Sequence, residues 1–417
     1  MTTRTFSPAT APAREKFSSA EDQVKTIFKD AGILINGPNA WDVQVKDKRF
    51  YKKFTRLITL GLIESYVDEW IELADFDEFM YRLFRKRDYF RFKPGLPLVW
   101  EIIRHKYFNP NMSRKQHIVD VQYNLPPILF EKFLGDNLAY TCGYGVDRST
   151  GQEFDFADLD WLEKAQNSKY SLLCDKANVK PGMTVLDIGC GWGGLARYLA
   201  RERGCRVVAF TIASEQVEYA RKLCQGLDVE VRLQSYEEPV YAYGSTSREG
   251  KFDAITCLGM FEHVGSKNHK LFMQRTHDLI QPGGKMALQT ISFSHPVIIT
   301  DPYIERVIFP DMTCSSPSQV TKAAEHKHRW SVLDQHELVD KNNRSFYYPT
   351  LKAWAKNMAD NWLDIKPHIT HMDPEKFYRL WWPYFDICAG AYRAGTYPRL
   401  IQYTLGYEHH PLEAAIR

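Results

Sequence analysis

The sequence lacks the features that mark membrane-spanning, metal-binding and nucleic-acid-binding chains. Its 417 residues contain no run of roughly 18 apolar residues or more, and its eight cysteines form no Cys-x-x-Cys pair and no zinc-site spacing with histidine. The formal net charge is only +3, so no overall basic field favours nucleic acid. These absences predict a cytoplasmic protein with reduced thiols, no bound metal and no nucleic-acid partner.

Hydrophobic residues make up 44% of the chain, enough for a main domain and an appended one. The polar amino terminus lacks the apolar stretch of a signal peptide, and residues 1–18 are predicted to form a flexible tail. Residues 19–84 have a mainly helical pattern interrupted by short polar turns, which predicts a small amino-terminal lobe. The main domain is predicted over residues 119–417.

The segment between these two regions is rich in basic and aromatic residues. From Arg82 to Lys115, ten basic residues stand against two acidic ones, and seven aromatic side chains are interspersed. Basic groups attract anionic headgroups by about 1 kcal/mol each, and aromatic rings settle at the water–lipid boundary. Residues 85–118 are therefore predicted either to dock on a membrane surface or to be a solvated connector. Nothing else in the chain resembles a nucleic-acid-binding module.

Short apolar runs alternate with helical patterns after residue 119. This alternation predicts an α/β fold with a doubly wound, mostly parallel sheet. Such sheets bind ligands beyond the carboxyl ends of their strands. The predicted buried strands are Val185–Ile188, Arg206–Phe210, Val229–Leu233, Phe252–Cys257 and Lys285–Gln289.

The strongest motif is a glycine-rich turn at the end of the first of these strands. In Val185–Gly194 the pattern is Asp-x-Gly-x-Gly, formed by Asp187, Gly189, Cys190 and Gly191. Glycines permit positive φ and close approach of a ligand to the backbone. The dinucleotide pattern G-x-G-x-x-G is not met, and the motif resembles the first motif of class I S-adenosylmethionine methyltransferases. The alternative is a tight packing turn that binds nothing.

Polar residues after the second and third strands fit a cofactor site in the same order. Thr211 and Gln216 are predicted to hydrogen-bond the ribose or the methionine part of the cofactor. Tyr236 and Glu237 are predicted to stack on and hydrogen-bond the adenine, next to Ser235, where an acidic residue is more usual. Tyr236 alone would more often be an ordinary half-buried aromatic residue, so its position carries the assignment.

Several further motifs resemble the cyclopropane-fatty-acid and mycolic-acid cyclopropane synthases. The resemblance covers nearly the whole chain, and the amino-terminal lobe is similar to that of the longer bacterial synthases. It implies a seven-stranded methyltransferase domain over residues 119–417 with an acyl-chain site. The motifs that carry it are Tyr140–Tyr144, Lys180–Ala196, Thr211–Gln216, Gly259–Gly265, Ile308–Pro310 and Cys388–Arg393.

The resemblance implies transfer of a methyl group from S-adenosylmethionine to a cis double bond of an unsaturated phospholipid acyl chain, which closes a cyclopropane ring. It also implies a bound bicarbonate that removes a proton and is held by the backbone at Cys142 with the side chains of Glu262 and Tyr347. Cys388 is a further candidate for this site. A nucleophilic thiol is not favoured at Cys142 or Cys388, because methyl transfer to an alkene needs no covalent enzyme intermediate.

The chain departs from the family pattern at a histidine position of the base site, which is Gln289 here. Glutamine forms hydrogen bonds but carries no proton charge, so deprotonation of the carbocation is expected to differ. Milder departures surround Tyr123 and Thr141, which the resemblance places at the cofactor together with Tyr140. A methyl- or methylene-branched product is therefore the main alternative to a cyclopropane.

Two further alternatives come from other functional classes. Amine N-methylation is a remoter activity of the same ancestry, and a non-catalytic lipid-binding protein would keep the fold without the chemistry. The unbroken glycine loop, Glu262 and Tyr347 favour an enzyme. The resemblance implies a partner at the membrane surface, the unsaturated phospholipid. The oligomeric state stays open, and a homodimer would place two basic faces on one membrane.

Overall fold

One seven-stranded sheet organises the main domain in the computed structural model. The structure describes residues 17–86, 92, 125–245, 250–294, 301–310, 312–395 and 398–407. A separate antiparallel pair consists of β1 (Gln44–Val45) and β2 (Ile71–Glu72). The strands of the main sheet are β3 (Thr184–Ile188), β4 (Arg206–Thr211), β5 (Val229–Leu233), β6 (Phe252–Leu258), β7 (Ile280–Phe293), β8 (Trp330–Glu337) and β9 (Pro398–Tyr407).

Helices cover the sheet and form the amino-terminal lobe. They are α1 (Ala20–Ala31), α2 (Arg49–Leu57), α3 (Thr59–Val67), α4 (Phe76–Arg85), α5 (Pro127–Leu134), α6 (Trp161–Lys176), α7 (Gly194–Arg201), α8 (Ser214–Leu223), α9 (His269–Leu279), α10 (Pro317–Ala324), α11 (Tyr347–Asp360), α12 (Trp362–Ile365), α13 (Pro374–Trp381) and α14 (Pro383–Arg393). Short 3₁₀ turns span Phe261–His263, His326–His328 and Lys366–His368, and a π turn spans Ile304–Ile308. None of the helices that the structure describes has both the length and the apolar content of a membrane-spanning segment.

The strand order is β5-β4-β3-β6-β7-β9-β8, with β9 antiparallel to both of its neighbours. The chain moves outward from β3 to β4 on one side and returns to β6 on the other. This reversal creates a crevice at the carboxyl ends of β3 and β6, where doubly wound sheets bind ligands. The predicted doubly wound, mostly parallel sheet is confirmed, and the five predicted strands correspond to β3 to β7.

The structure extends one predicted strand and leaves parts of the predicted chain organisation outside the described residues. The amino-terminal half of β7 extends beyond the predicted strand, back to Ile280. Tyr347 is the first residue of α11 and is buried there. The predicted tail and connector fall mostly outside the described residues, as does Tyr123.

The amino-terminal lobe shares a hydrophobic core with the main domain. A single cluster of buried side chains extends from Val24 of α1 to Leu400 of β9. In the lobe, Ser19 caps α1 by accepting a hydrogen bond from the Asp22 amide at 3.0 Å, and Gly32 ends this helix with a φ of 76°. The lobe therefore packs against the main domain through a shared core. Its predicted bounds as a separate domain, residues 19–84, stay a prediction.

Candidate functional site

The glycine loop lies directly after β3 and faces the crevice at the switch point. Gly189 has a φ of 77°, and an added Cβ would lie 2.6 Å from the Met260 side chain, so only glycine fits here. Asp187 is buried at the end of β3. One of its carboxylate oxygens accepts a hydrogen bond from Thr256 at 2.8 Å, and Oδ2 has no hydrogen-bond partner among the described residues. Burial raises the pKa of Asp187 to about 7.

A cavity of about 830 Å³ opens beside this loop. Thr211 donates a hydrogen bond to the Gln216 side chain at 2.7 Å, and both residues lie on the cavity wall. Tyr236 is nearly buried at the far side, where its ring packs edge-on against Phe272 at 5.2 Å. The wall contains most of the predicted cofactor-binding residues, namely Gly189, Gly191, Thr211, Gln216, Ser235, Tyr236 and Glu237.

A second, more polar cavity of about 670 Å³ continues on the other side of the glycine loop. It shares Gly189, Gly191 and Gln216 with the first cavity, so the two form one groove around the loop. The remaining predicted cofactor residues within the described part of the chain line it, namely Tyr140, Thr141, Asp187 and Cys190.

A third cavity, of about 970 Å³, is lined mainly by apolar side chains. Tyr140 and Thr141 lie on the walls of both this cavity and the polar groove, and His263 lines all three cavities. Of the catalytic candidates, Glu262, Tyr347 and Cys388 line the apolar cavity, whereas Cys142 and Gln289 are buried and are not among its lining residues. Other apolar lining residues include Ile291, Phe309, Met312, Leu351, Tyr384 and Ile387.

Glu262 places a desolvated carboxyl group at the cavity wall. Its position follows from the 3₁₀ turn after β6, and the side chain is only 2% exposed. One carboxylate oxygen accepts a hydrogen bond from the backbone N–H of Ile291 at 2.6 Å, and Oε2 has no hydrogen-bond partner among the described residues. Burial raises the pKa of Glu262 to about 7, and the hydrogen bond from Ile291 opposes this rise. The carboxyl group therefore changes its charge near neutral pH.

Tyr347 brings a neutral phenol to the same cavity. Its ring stacks on Tyr392 with a centroid distance of 4.5 Å and an interplanar angle of 19°. Burial raises the pKa of the Tyr347 phenol well above its usual range, and the nearby Cys142 and Glu262 raise it further. The role of these groups in holding a base stays a prediction.

The two candidate cysteines are protonated at neutral pH. Burial raises the pKa of the Cys142 thiol to about 12, and burial also raises that of the Cys388 thiol. The Cys142 thiol donates to the carbonyl oxygen of Gly143 at 3.0 Å, while the Gly143 amide donates to the Thr350 hydroxyl at 3.1 Å. Neither thiol has the thiolate character of a nucleophile, which agrees with the expectation that neither attacks a substrate.

Gln289 forms a buried amide pair. The Nε2 of Gln402 on β9 donates to the Oε1 of Gln289 at 2.9 Å, and both side chains are fully buried. The Nε2 of Gln289 has no hydrogen-bond partner among the described residues. In this arrangement the Nε2 of Gln289 is left as a hydrogen-bond donor, while its oxygen already accepts one hydrogen bond.

Two further residues of the site were missed as site residues in the sequence. His263 lies within the motif Gly259–Gly265 and was not predicted as a site residue, yet it lines all three cavities, and burial lowers its pKa to about 4. Lys169 is fully buried on α6, and its Nζ donates to the Thr141 hydroxyl at 2.6 Å and to the Gln166 side chain at 2.5 Å. Burial lowers the pKa of Lys169 to about 7. A histidine in a Glu-His pair was a usable signal, whereas one lysine among several on a helix was not.

The polar groove fits S-adenosylmethionine by its own chemistry. Gly191 has a φ of 54° and open space where a side chain would be, so the loop backbone is accessible to a ligand. The Oδ2 oxygen of Asp187 is an acceptor that has no donor among the described residues. Tyr236 and Glu237 add an aromatic face and a carboxylate at the far wall.

Comparisons with known proteins agree with this geometry. A family model described as mycolic acid cyclopropane synthetase matches residues 111–402. The chain is 34% identical over 369 residues to the cyclopropane-fatty-acyl-phospholipid synthase of Escherichia coli (strain K12), with 88% of each chain covered. It is 28% identical to cyclopropane mycolic acid synthase 2 of Mycobacterium bovis, over 66% of this chain and 89% of that protein.

A solved structure of a cyclopropane synthase from Mycobacterium tuberculosis superposes with a TM-score of 0.57 at 26% identity. The match covers 70% of this chain and 98% of that one. The family model begins at residue 111, after the last residue of α4. The family model therefore covers the sheet as far as residue 402 in β9 and the cofactor groove, while the amino-terminal lobe lies outside the part that this model covers.

Proposed function

The chain belongs to the mycolic acid cyclopropane synthetase family, and we propose that this S-adenosylmethionine-dependent methyltransferase closes a cyclopropane ring across a cis double bond of a phospholipid acyl chain. The observation that carries the proposal is the junction of two unlike cavities. A polar groove around the glycine loop meets an apolar cavity at Tyr140, Thr141, Gly259 and His263. A polar methyl donor and a hydrocarbon chain can thus approach each other from opposite sides.

S-adenosylmethionine supplies the methyl group that the double bond attacks, which leaves a carbocation on the acyl chain. Such a cation needs a dry site with aromatic faces, which attract positive charge. Tyr140, Phe309 and Tyr347 provide these faces near the junction. His263 is neutral because burial lowers its pKa to about 4, so it does not repel a positively charged donor.

Loss of a proton from the transferred methyl group then closes the ring, and a bound bicarbonate would supply the base. Bicarbonate is an anion that also carries a hydroxyl group, and side chains of this protein could donate hydrogen bonds to it and accept one from it. Glu262 has an unpartnered oxygen and titrates near neutral pH, so it can share a proton with such a ligand. Tyr347 offers a phenol, and Gln289 offers an amide donor whose orientation Gln402 fixes. We propose that these side chains, with the backbone at Cys142, hold the base, and that Cys388 lines the adjoining acyl cavity.

The glutamine at position 289 motivates the alternative product. A neutral amide places no positive charge beside the base. Which proton the carbocation loses then depends on the position of the base relative to the acyl chain and on Glu262. Loss of a proton from a neighbouring chain carbon would give a methyl-branched alkene instead of a ring. The position of the proton that leaves therefore decides between the two outcomes.

A phospholipid substrate requires contact with a membrane surface. We propose that the protein is cytoplasmic and associates peripherally through its basic and aromatic segment, residues 85–118, which lies mostly outside the described residues. A homodimer would present this segment twice. Vesicle sedimentation at low and high salt tests the docking, since electrostatic binding weakens as ionic strength rises. Sedimentation velocity tests the dimer.

The proposed activity can be tested in bacterial cells that contain monounsaturated phospholipids but no cyclopropane fatty acids. Fatty acid methyl esters are analysed by gas chromatography with mass spectrometry after expression of the wild type or of the matched Glu262→Gln variant. We expect a saturated product heavier than its precursor by one methylene group, and only with the wild type. A heavier product that keeps a double bond would support branching. Unchanged lipids, together with methylation of an added amine, would contradict the proposal.

A further inference from the structure

The amino-terminal lobe contributes two side chains to the wall of the apolar cavity. Met80 and Phe84 lie four residues apart on α4, so they share one face of this helix, and both line the cavity. A neighbouring face of α4 packs into the lobe, where the ring of Phe79 lies edge-on to Phe28 at 5.3 Å. Leu83 is also buried, but it is not among the residues that line the cavity.

The close contact of α4 with α14 holds this wall in place. Gly390 lies on α14 where an added Cβ would be 2.9 Å from both the Cβ of Met80 and the backbone nitrogen of Tyr81. The absence of a side chain thus allows the two helices to touch through their backbones. On the cavity side of α14, Ile387 and Tyr384 continue the same wall. Met80 is 1% exposed, so this contact also fixes its side chain.

Ion pairs around the buried carboxylates of Asp77 and Asp386 link α4 to α14 and to α11. Asp77 of α4 lies 3.5 Å from Arg393 and 3.7 Å from Lys352, and it accepts a hydrogen bond from the Tyr348 hydroxyl at 3.2 Å. Lys352 also pairs with Asp386 at 2.6 Å. Breaking a buried pair leaves an unpaired charge, which is costly, so the lobe is held firmly against the cavity.

We propose that Met80 and Phe84 determine which acyl-chain lengths the enzyme accepts, an inference that rests on the proposed function of the same cavity. The two side chains precede residue 111, where the match to the family model begins, so they add a wall to the domain that this model covers. Both are large and apolar, and neither contacts the cofactor groove. Pockets of this kind discriminate between chains by how well methylene groups fit, about tenfold or more per methylene.

The test compares two substrates in one reaction. Purified full-length enzyme acts on vesicles that contain equal amounts of palmitoleoyl and the two-carbon-longer oleoyl phosphatidylglycerol, and the ratio of the two cyclopropane products is measured. Both chains carry the double bond at the same distance from the carboxyl group, so they differ only in the length beyond the reacting bond. Met80→Ala enlarges the cavity. Phe84→Leu enlarges it less, at a side chain that is only half-buried. Met80→Phe makes the cavity smaller. Leu83→Ala is the matched control, since this side chain is as buried as Met80 on the same helix but does not line the cavity.

We expect Met80→Ala and Phe84→Leu to shift the product ratio toward the longer chain by about fivefold or more, and Met80→Phe to shift it the other way. If Met80→Ala does not fold, Phe84→Leu decides. Ratios within about twofold of the wild type in the folded cavity variants would overturn the inference, and so would an equal shift in Leu83→Ala. A wild type that converts neither lipid would refute the proposed function as well, whereas an unshifted ratio with active enzyme refutes this inference alone.

Discussion

Replacing Glu262 by glutamine tests the electrostatics of the base site. The substitution keeps the size of the side chain and keeps an oxygen that can accept the 2.6 Å hydrogen bond from Ile291. It removes the ionisable group whose pKa burial raises to about 7. We expect turnover to fall by about 100-fold or more, because the base site loses the group that shares a proton with the base. Cofactor affinity should stay within about threefold, since the glycine loop is unchanged.

The same variant makes a prediction about stability. Because the pKa of Glu262 is higher in the folded protein than its ordinary value of 4.5, the folded protein keeps this proton at pH values where the unfolded chain has lost it. The free energy of unfolding therefore decreases as the pH rises from about 4.5 to about 7, by about 3 kcal/mol in total for this group. Glu262→Gln removes this contribution. Between about pH 5 and about pH 8.5, its stability relative to the wild type should increase by about 2.5 kcal/mol.

The assay has two parts. Denaturant unfolding of the ligand-free proteins at both pH values gives the difference in stability, and calorimetry with S-adenosylmethionine gives the affinity. Glu237→Gln, on the wall of the cofactor cavity, serves as the opposite control, with weaker cofactor binding expected. A stability difference that does not change with pH would show that Glu262 is not desolvated as the structure indicates. An equal loss of turnover and cofactor affinity in Glu262→Gln would refute its place in the base site.

Three further predictions concern other parts of the site. Gln289→His should change the proportion of cyclopropane to branched product, measured by gas chromatography with mass spectrometry, because it puts a titratable ring beside the base. Lys169→Met should remove a rise in stability between about pH 7 and pH 10.5, since burial lowers the pKa of this lysine to about 7 from 10.5, and denaturation at both pH values checks this. Gly189→Ala should weaken cofactor binding in calorimetry by about tenfold or more, because its Cβ would meet Met260 at 2.6 Å.

The central part of the fold was predictable from local sequence. The strands β3 to β6 are short apolar runs between polar turns, and strands buried on both faces have this composition. The strands β8 and β9 were not located. The sequence of β8, from Trp330 to Glu337, mixes polar and apolar residues, and it pairs with β9 over a long separation in sequence. Its structure depends on a partner that no local pattern reveals.

The cofactor site was predictable for a similar reason. The glycine loop, Thr211 and Tyr236 each follow a strand, and the carboxyl ends of parallel strands meet at one edge of the sheet. A strand ending in a glycine-rich turn thus indicates its ligand site without any knowledge of long-range packing.

The second layer of the site was not predictable. Gln402 is distant from Gln289 in sequence, and only the antiparallel pairing of β7 with β9 brings them opposite each other. Lys169 resembles a solvent-exposed lysine on a helix, yet that face of α6 packs against the sheet and buries its charge. Met80 and Phe84 fit an ordinary lobe core, and their place in the acyl cavity follows from the packing of α4 on α14. Each depends on tertiary contacts between distant segments.

The most direct test of the account follows the methyl hydrogens. Purified enzyme is incubated with vesicles of a monounsaturated phospholipid and with S-adenosylmethionine whose transferred methyl group is fully deuterated, and the product is analysed by mass spectrometry. Ring closure requires one deuteron to leave the transferred methyl, so the account predicts a product with two deuterons and no double bond. A product that keeps all three deuterons and a double bond would contradict cyclopropane formation.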